Sequence, residues 1–157
     1  KGSGKDENKR APMYWSKDGN AEGMCKGPAD MDDFRMKFDS LEEQQEDPDS
    51  IYNYVKQVIR VRNQNPVIAR GTTAYLEQYS GEQCFALTRS YEGSNLLLLG
   101  NTSAEAVSVD LTGLTVGGTT AEELVLLGEL YTGEETAERA GTVVTLPAYS
   151  ILILGEE

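Results

Sequence analysis

The chain has 157 residues, 39% of them hydrophobic and 25% charged, which is enough for one globular domain with a real core and too short for a complete α/β barrel of roughly 250 residues. Its 14 basic and 26 acidic residues give a net charge of −12. That argues against nucleic acid and anionic membranes as partners, because both need basic patches, and no apolar run approaches the roughly 18 residues of a membrane span. There is no histidine, so Ser-His-Asp and Cys-His catalysis are excluded and a common zinc ligand is missing.

The first 46 residues show no sustained periodicity and are broken by Gly19, Gly23, Gly27, Pro12 and Pro28. They read as a long loop, with one short helical turn over 32–38 placing Phe34 and Phe38 on a common face. Cys25 and Cys84 form no CxxC pair and are expected as two unpaired thiols, one disulfide being the alternative. Asp18-x-Asn20-x-Glu22-Gly23 matches the start of a calcium loop, but position twelve is Ala29 where a bidentate Glu is required. An acidic, solvated turn is the expected outcome, and no metal site is assigned. The acidic residues Asp30, Asp32, Asp33 and those of 42–49 likewise read as solvated surface.

Residues 47–64 carry the clearest helix signal. Asp47 suits the N-cap, Pro48 the first helical position and Asp49 the positive end of the dipole. Ile51, Tyr54, Val55, Val58 and Ile59 recur at helical spacing, and Asn65-Pro66 ends the run. From residue 67 the period changes to two. Strands are expected at 73–78, 84–91, 96–101, 107–111, 124–127, 142–146 and 150–154, separated by turns at Ser80-Gly81, Glu92-Gly93-Ser94, Gly117-Gly118 and Ala140-Gly141. Seven short strands with regular turn signals read as an antiparallel β-sandwich.

Several segments together resemble the alpha-amylase family of glycoside hydrolases (family 13). Arg10-Ala-Pro-Met-Tyr-Trp15 is similar to the R-x-P-M-x-W segment that follows the eighth barrel strand. Leu41-Glu-Glu-Gln44, Asp47-Pro-Asp-Ser50, Arg62, Asn65-Pro66-Val-Ile68 and Gly71 resemble the last barrel helix and its exit. Phe85-Ala-Leu-Thr-Arg89 with 96–101, and Leu146-Pro-Ala-Tyr149 before 150–154, resemble strands of the C-terminal domain. The resemblance runs from about Lys5 to Leu154.

It implies a mainly β fold: an antiparallel sandwich like the alpha-amylase C-terminal domain, preceded by a long loop and the last helix of a (β/α)8 barrel. Residues 1–68 would be the barrel remnant and 69–157 the all-β domain. The implied parent enzyme hydrolyses α-glucosidic bonds in starch-type polymers with retention, which needs two carboxyl groups about 5–5.5 Å apart. In the family these and a third Asp come from strands four, five and seven, so no catalytic residue is expected here and no cofactor is called for. The implied partners are the α-glucan substrate and either the missing N-terminal barrel or a second copy of the chain. By the same match, Arg10 would hydrogen-bond a sugar hydroxyl and Trp15 or Tyr14 would stack on a sugar ring. Otherwise Trp15 and Met13 pack the loop onto the barrel and Arg10 pairs with a carboxylate. Related α-glucosidases often carry a second Arg at the position of Asp6, and its absence leans towards an endo-acting amylase. A carbohydrate-binding module is the competing reading, motivated by Tyr75, Tyr79 and Tyr91; cross-strand packing accounts for the same residues.

Overall fold

In a computed structural model describing residues 4–18, 25–32 and 36–156, the chain falls into two compact units, 1–53 and 54–157. The first holds two short helices, α1 (Asp6–Lys9) and α2 (Leu41–Glu46). Lys5 and Asn8 both reach Asp32 at 2.9 Å. The turn expected over 32–38 falls partly on 33–35, outside the described residues, as does most of the Asp18–Gly23 turn. Cys25 and Cys84 are free thiols.

Helix α2 is closed by a capping box. The Ser40 hydroxyl accepts from Glu43 N–H, while the Glu43 carboxylate accepts from Ser40 N–H at 3.0 Å and from its hydroxyl at 2.8 Å. These bonds, those to the Ser40 side chain first, hold the Glu43 carboxyl below its usual value.

The long helix, α3, runs Ile51–Gln64 and begins later than the Asp47-Pro48 signal predicts. Asp47 instead ends α2, its N–H donating to Glu43 C=O, and its side chain accepts from Asp49 N–H at 3.0 Å. Ser50 takes over as the N-cap, accepting from Asn53 N–H at 3.2 Å and donating to Gln44 C=O at 2.5 Å. Two capping signals, Asp47 and Ser50, stand three residues apart, and a tight turn between the helices absorbs the first. Asn65-Pro66 ends α3 and also starts α4 (Pro66–Arg70), with Pro66 in its first turn. Gly71 follows because a Cβ there would lie 2.6 Å from Val67 C=O and 3.0 Å from Ser90 C=O.

The second unit is an antiparallel sandwich. Strands β1 (Thr72–Tyr75), β2 (Cys84–Tyr91), β3 (Ser94–Asn101), β7 (Val125–Leu130) and β10 (Ile151–Gly155) form one sheet in the order β1-β2-β3-β10-β7; β4 (Val107–Asp110), β9 (Val143–Leu146) and β8 (Glu138–Ala140) form the other. A two-residue ribbon, β5 (Thr115–Val116) with β6 (Thr119–Thr120), turns at Gly117-Gly118. Leu97, Leu99, Leu152 and Leu154 face Val109, Val144 and Leu146 in the interior. Alternate residues Leu96 and Ile153 point the other way, where Val61, Val67 and Ile68 cover them. Both faces of β3 are therefore apolar, which is why 96–99 reads as an unbroken leucine run.

The β2–β3 hairpin turns on Glu92-Gly93, with φ of 50° and 87°, the signature of a two-residue turn that needs left-handed backbone twice. Asparagine tolerates that region better than glutamate. Glu92→Asn is expected to stabilise the domain by about 0.5–1 kcal/mol, read as a rise of about 1–4 °C in Tm; a lower Tm would show that the Glu92 side chain contributes contacts of its own.

Candidate functional site

Arg10, Tyr14 and Trp15 lie in the first unit, in the extended stretch after α1. Arg10 is paired locally, its Nε 3.1 Å from Asp6 Oδ2 and its guanidinium 3.9 Å from Glu7 Oε1. Both pairs are solvent-exposed, so each holds the side chain in place only weakly. Asp6, one helical turn before Arg10, supplies its nearest partner carboxylate.

The backbone carbonyls of Tyr14 and Trp15 accept from Leu41 and Glu42 N–H at 2.9 and 3.1 Å, which fastens the loop to the first turn of α2. The Tyr14 ring meets Phe38 edge to face at 6.3 Å, and its hydroxyl donates to Lys17 C=O. Trp15 and Met13 are about half exposed, at 47% and 54%. Tyr14 also lines an open depression of about 930 Å³, together with Lys17, Met36, Phe38, Asp39 and Glu43. Arg10 and Trp15 do not line it. Among the described residues, no group of three or more acidic or cysteine side chains could hold a metal ion.

Tyr75, Tyr79 and Tyr91 do not share a face. Tyr79 is buried in the sandwich interior, Tyr91 packs on the opposite side of the sheet beneath the Arg70 guanidinium at 6.0 Å, and Tyr75 alone is exposed. The three-tyrosine platform that motivates a carbohydrate-binding module is not assembled.

The face of α3 is the feature least expected of a self-contained fold. Surface helices turn their apolar stripe inward, yet Ile51, Val55 and Ile59, one turn apart, are 76%, 46% and 52% exposed. In the last turn Val61 packs into the cluster around Ile153, close to Gly128, and Tyr54 and Val58 are half-buried.

No protein-family model and no curated protein sequence matches the chain, but solved structures do. Amy13B of Eubacterium rectale superposes with a TM-score of 0.86 over 98% of this chain, at 38% identity. The chain belongs to the alpha-amylase family. More distant members share the fold: an alpha-amylase from H. orenii (TM-score 0.64, 21% identity, 92% of this chain) and trehalulose synthase MutB (0.66, 23%, 91%). The chain spans 29%, 28% and 24% of these three alpha-amylase-family proteins. Its antiparallel sandwich, with the loop and helices before it, is that of the family's C-terminal region.

No helix is long and apolar enough to cross a membrane among the described residues.

Proposed function

We propose that this chain is the non-catalytic C-terminal part of an enzyme that hydrolyses α-glucosidic bonds in starch-type polysaccharides, and that it serves to stabilise the catalytic barrel. The observation that carries this reading is the bare apolar stripe of α3. Three aliphatic side chains on one face, each worth roughly 1.5–3 kcal/mol when fully buried, are what the outermost helix of a barrel presents to its neighbours. In this reading residues 1–68 complete the barrel, residues 69–157 brace the last helix from behind through Val61, Val67 and Ile68, and the catalytic carboxylates come from upstream strands. Arg10, Tyr14 and Trp15 then lie on the side of the barrel where active sites are built, with Arg10 as hydrogen-bond donor to a sugar and the aromatic rings as stacking surfaces. A second copy of the chain covering the stripe is the competing partner, and it would make the chain a dimer in solution.

The test uses two proteins. The chain alone should release no reducing sugar from soluble starch. A chimera in which it replaces the matching segment of Eubacterium rectale Amy13B should fold and hydrolyse starch. Turnover by the chain alone would contradict the proposal, as would a folded but inert chimera.

A further inference from the structure

We propose that an open groove on the sandwich, between the short helical turn Glu77–Tyr79 and the loop around Gly113, binds a neutral oligosaccharide chain, with Tyr75 as the ring on which a sugar stacks. The groove holds about 620 Å³, within the roughly 300–1,000 Å³ of small-ligand sites. Tyr75, Glu77, Gln78, Gly113, Leu114 and Thr115 line it.

Its walls are fixed before any ligand arrives. Tyr79 is anchored in the core, and its hydroxyl donates to Thr112 C=O at 3.2 Å, tying the turn to the facing loop. The turn is braced by Tyr79 N–H and the Ser80 hydroxyl, both donating to Leu76 C=O, at 3.1 and 2.8 Å. The loop is braced by Leu114 N–H on Leu111 C=O and by Ala121 N–H on Leu114 C=O, each at 3.0 Å. A preformed site loses little conformational entropy on binding.

The chemistry of the lining selects the ligand. Tyr75 ends the outermost strand with 61% of its surface exposed, and a bare aromatic ring offers a flat apolar face with a polar tip. The Glu77 carboxylate, Gln78 amide and Thr115 hydroxyl are exposed and bond to no other described side chain, so acceptors and donors surround the ring. No lysine or arginine lines the groove, which rules out phosphate, sulfate and nucleic acid as the natural occupant. Beyond the tyrosine rings its large apolar residues are Leu114, 7% exposed, and the half-buried Leu76, too little open apolar surface for an apolar peptide anchor. A pyranose chain has the matching features: a flat C–H face, a ring of hydroxyls that donate and accept, and no charge. That the sugar is an α-glucan rests on the proposed function; that the groove binds a neutral sugar does not.

Amide chemical shifts of the full chain, titrated with maltoheptaose and separately with cellohexaose, test this. Saturable shifts are expected with maltoheptaose at residues 75–80 and 112–115, in the millimolar range. Tyr75→Ala, an exposed change that leaves the fold intact by its unaltered spectrum elsewhere, should weaken binding at least about tenfold, and Tyr75→Trp should retain it. Absence of saturable shifts, or shifts that persist unchanged in Tyr75→Ala, overturns the groove while leaving the starch hydrolysis of the chimera as a separate result. Saturation by cellohexaose in place of maltoheptaose overturns the α-glucan assignment and counts against the proposed function as well.

Discussion

Replacing Asn101 by alanine is expected to destabilise the sandwich by about 3 kcal/mol, lowering Tm by roughly 6–12 °C. Asn101 ends β3 and is 3% exposed. Its amide nitrogen donates to the carbonyls of Glu105, Pro147 and Leu146 at 2.7, 2.9 and 3.2 Å, and its carbonyl oxygen accepts from the Ser103 N–H and hydroxyl, both at 2.9 Å. One side chain thus joins the β3–β4 loop to the Pro147–Ser150 segment that feeds the closing strand. Alanine would leave several buried polar groups unpaired, each costing about 1–3 kcal/mol if no water reaches it. Asn101→Asp should be worse than alanine near neutral pH, because it sets a carboxylate oxygen against three carbonyls. Thermal unfolding of the two variants checks both points. A loss under about 1 kcal/mol for Asn101→Ala would mean that water replaces the amide.

Much of the sandwich was legible because its strands obey simple rules. β2 and β3 are eight-residue runs that flank Glu92-Gly93, so strand length and turn chemistry agree. The shorter pieces were not legible: β5 and β6 have two residues each and β8 has three, too few for alternation to show. Arg139 instead secures β8, its guanidinium donating to the carbonyls of Ala121 and Leu124, a long-range contact that no local pattern encodes. The segment 44–50 was recognisable as a motif while its physical purpose was hidden. In the structure Gln44, Asp47 and Ser50, with Asn53 donating to the carbonyls of Gln44 and Asp47 at 3.0 and 2.7 Å, link the end of one helix to the start of the next.

The functional surfaces were less legible than the fold. Arg10, Tyr14 and Trp15 stood out through resemblance; a carboxylate partner for Arg10 was one of its two readings and Asp6 at i,i+4 spacing supplies it, whereas no local pattern announced that Phe38 would meet Tyr14. The groove at Tyr75 is tied together by the Tyr79 hydroxyl on Thr112 C=O, 33 positions away, so only the folded chain reveals it. The helical spacing of Ile51, Tyr54, Val55, Val58 and Ile59 marks an apolar side of α3 without naming what covers it. In this chain Val61 packs on the sheet, while Ile51, Val55 and Ile59 remain 76%, 46% and 52% exposed.

That contrast sets the second large effect. Ile51→Ala, Val55→Ala and Ile59→Ala combined should leave the chain alone nearly as stable as before, because exposed substitutions are usually worth no more than about 0.5 kcal/mol each and alanine favours the helix. In the Amy13B chimera, where under the proposed function a barrel covers the stripe, the same triple change should cost about 3–6 kcal/mol through lost burial. The measurement is Tm of the triple variant against its parent in both settings. The account predicts a shift of no more than a few degrees in the chain alone and a large fall in the chimera. A large fall in the chain alone with none in the chimera would show that α3 buries its apolar face within this chain, and that it is not the outer helix of a missing barrel.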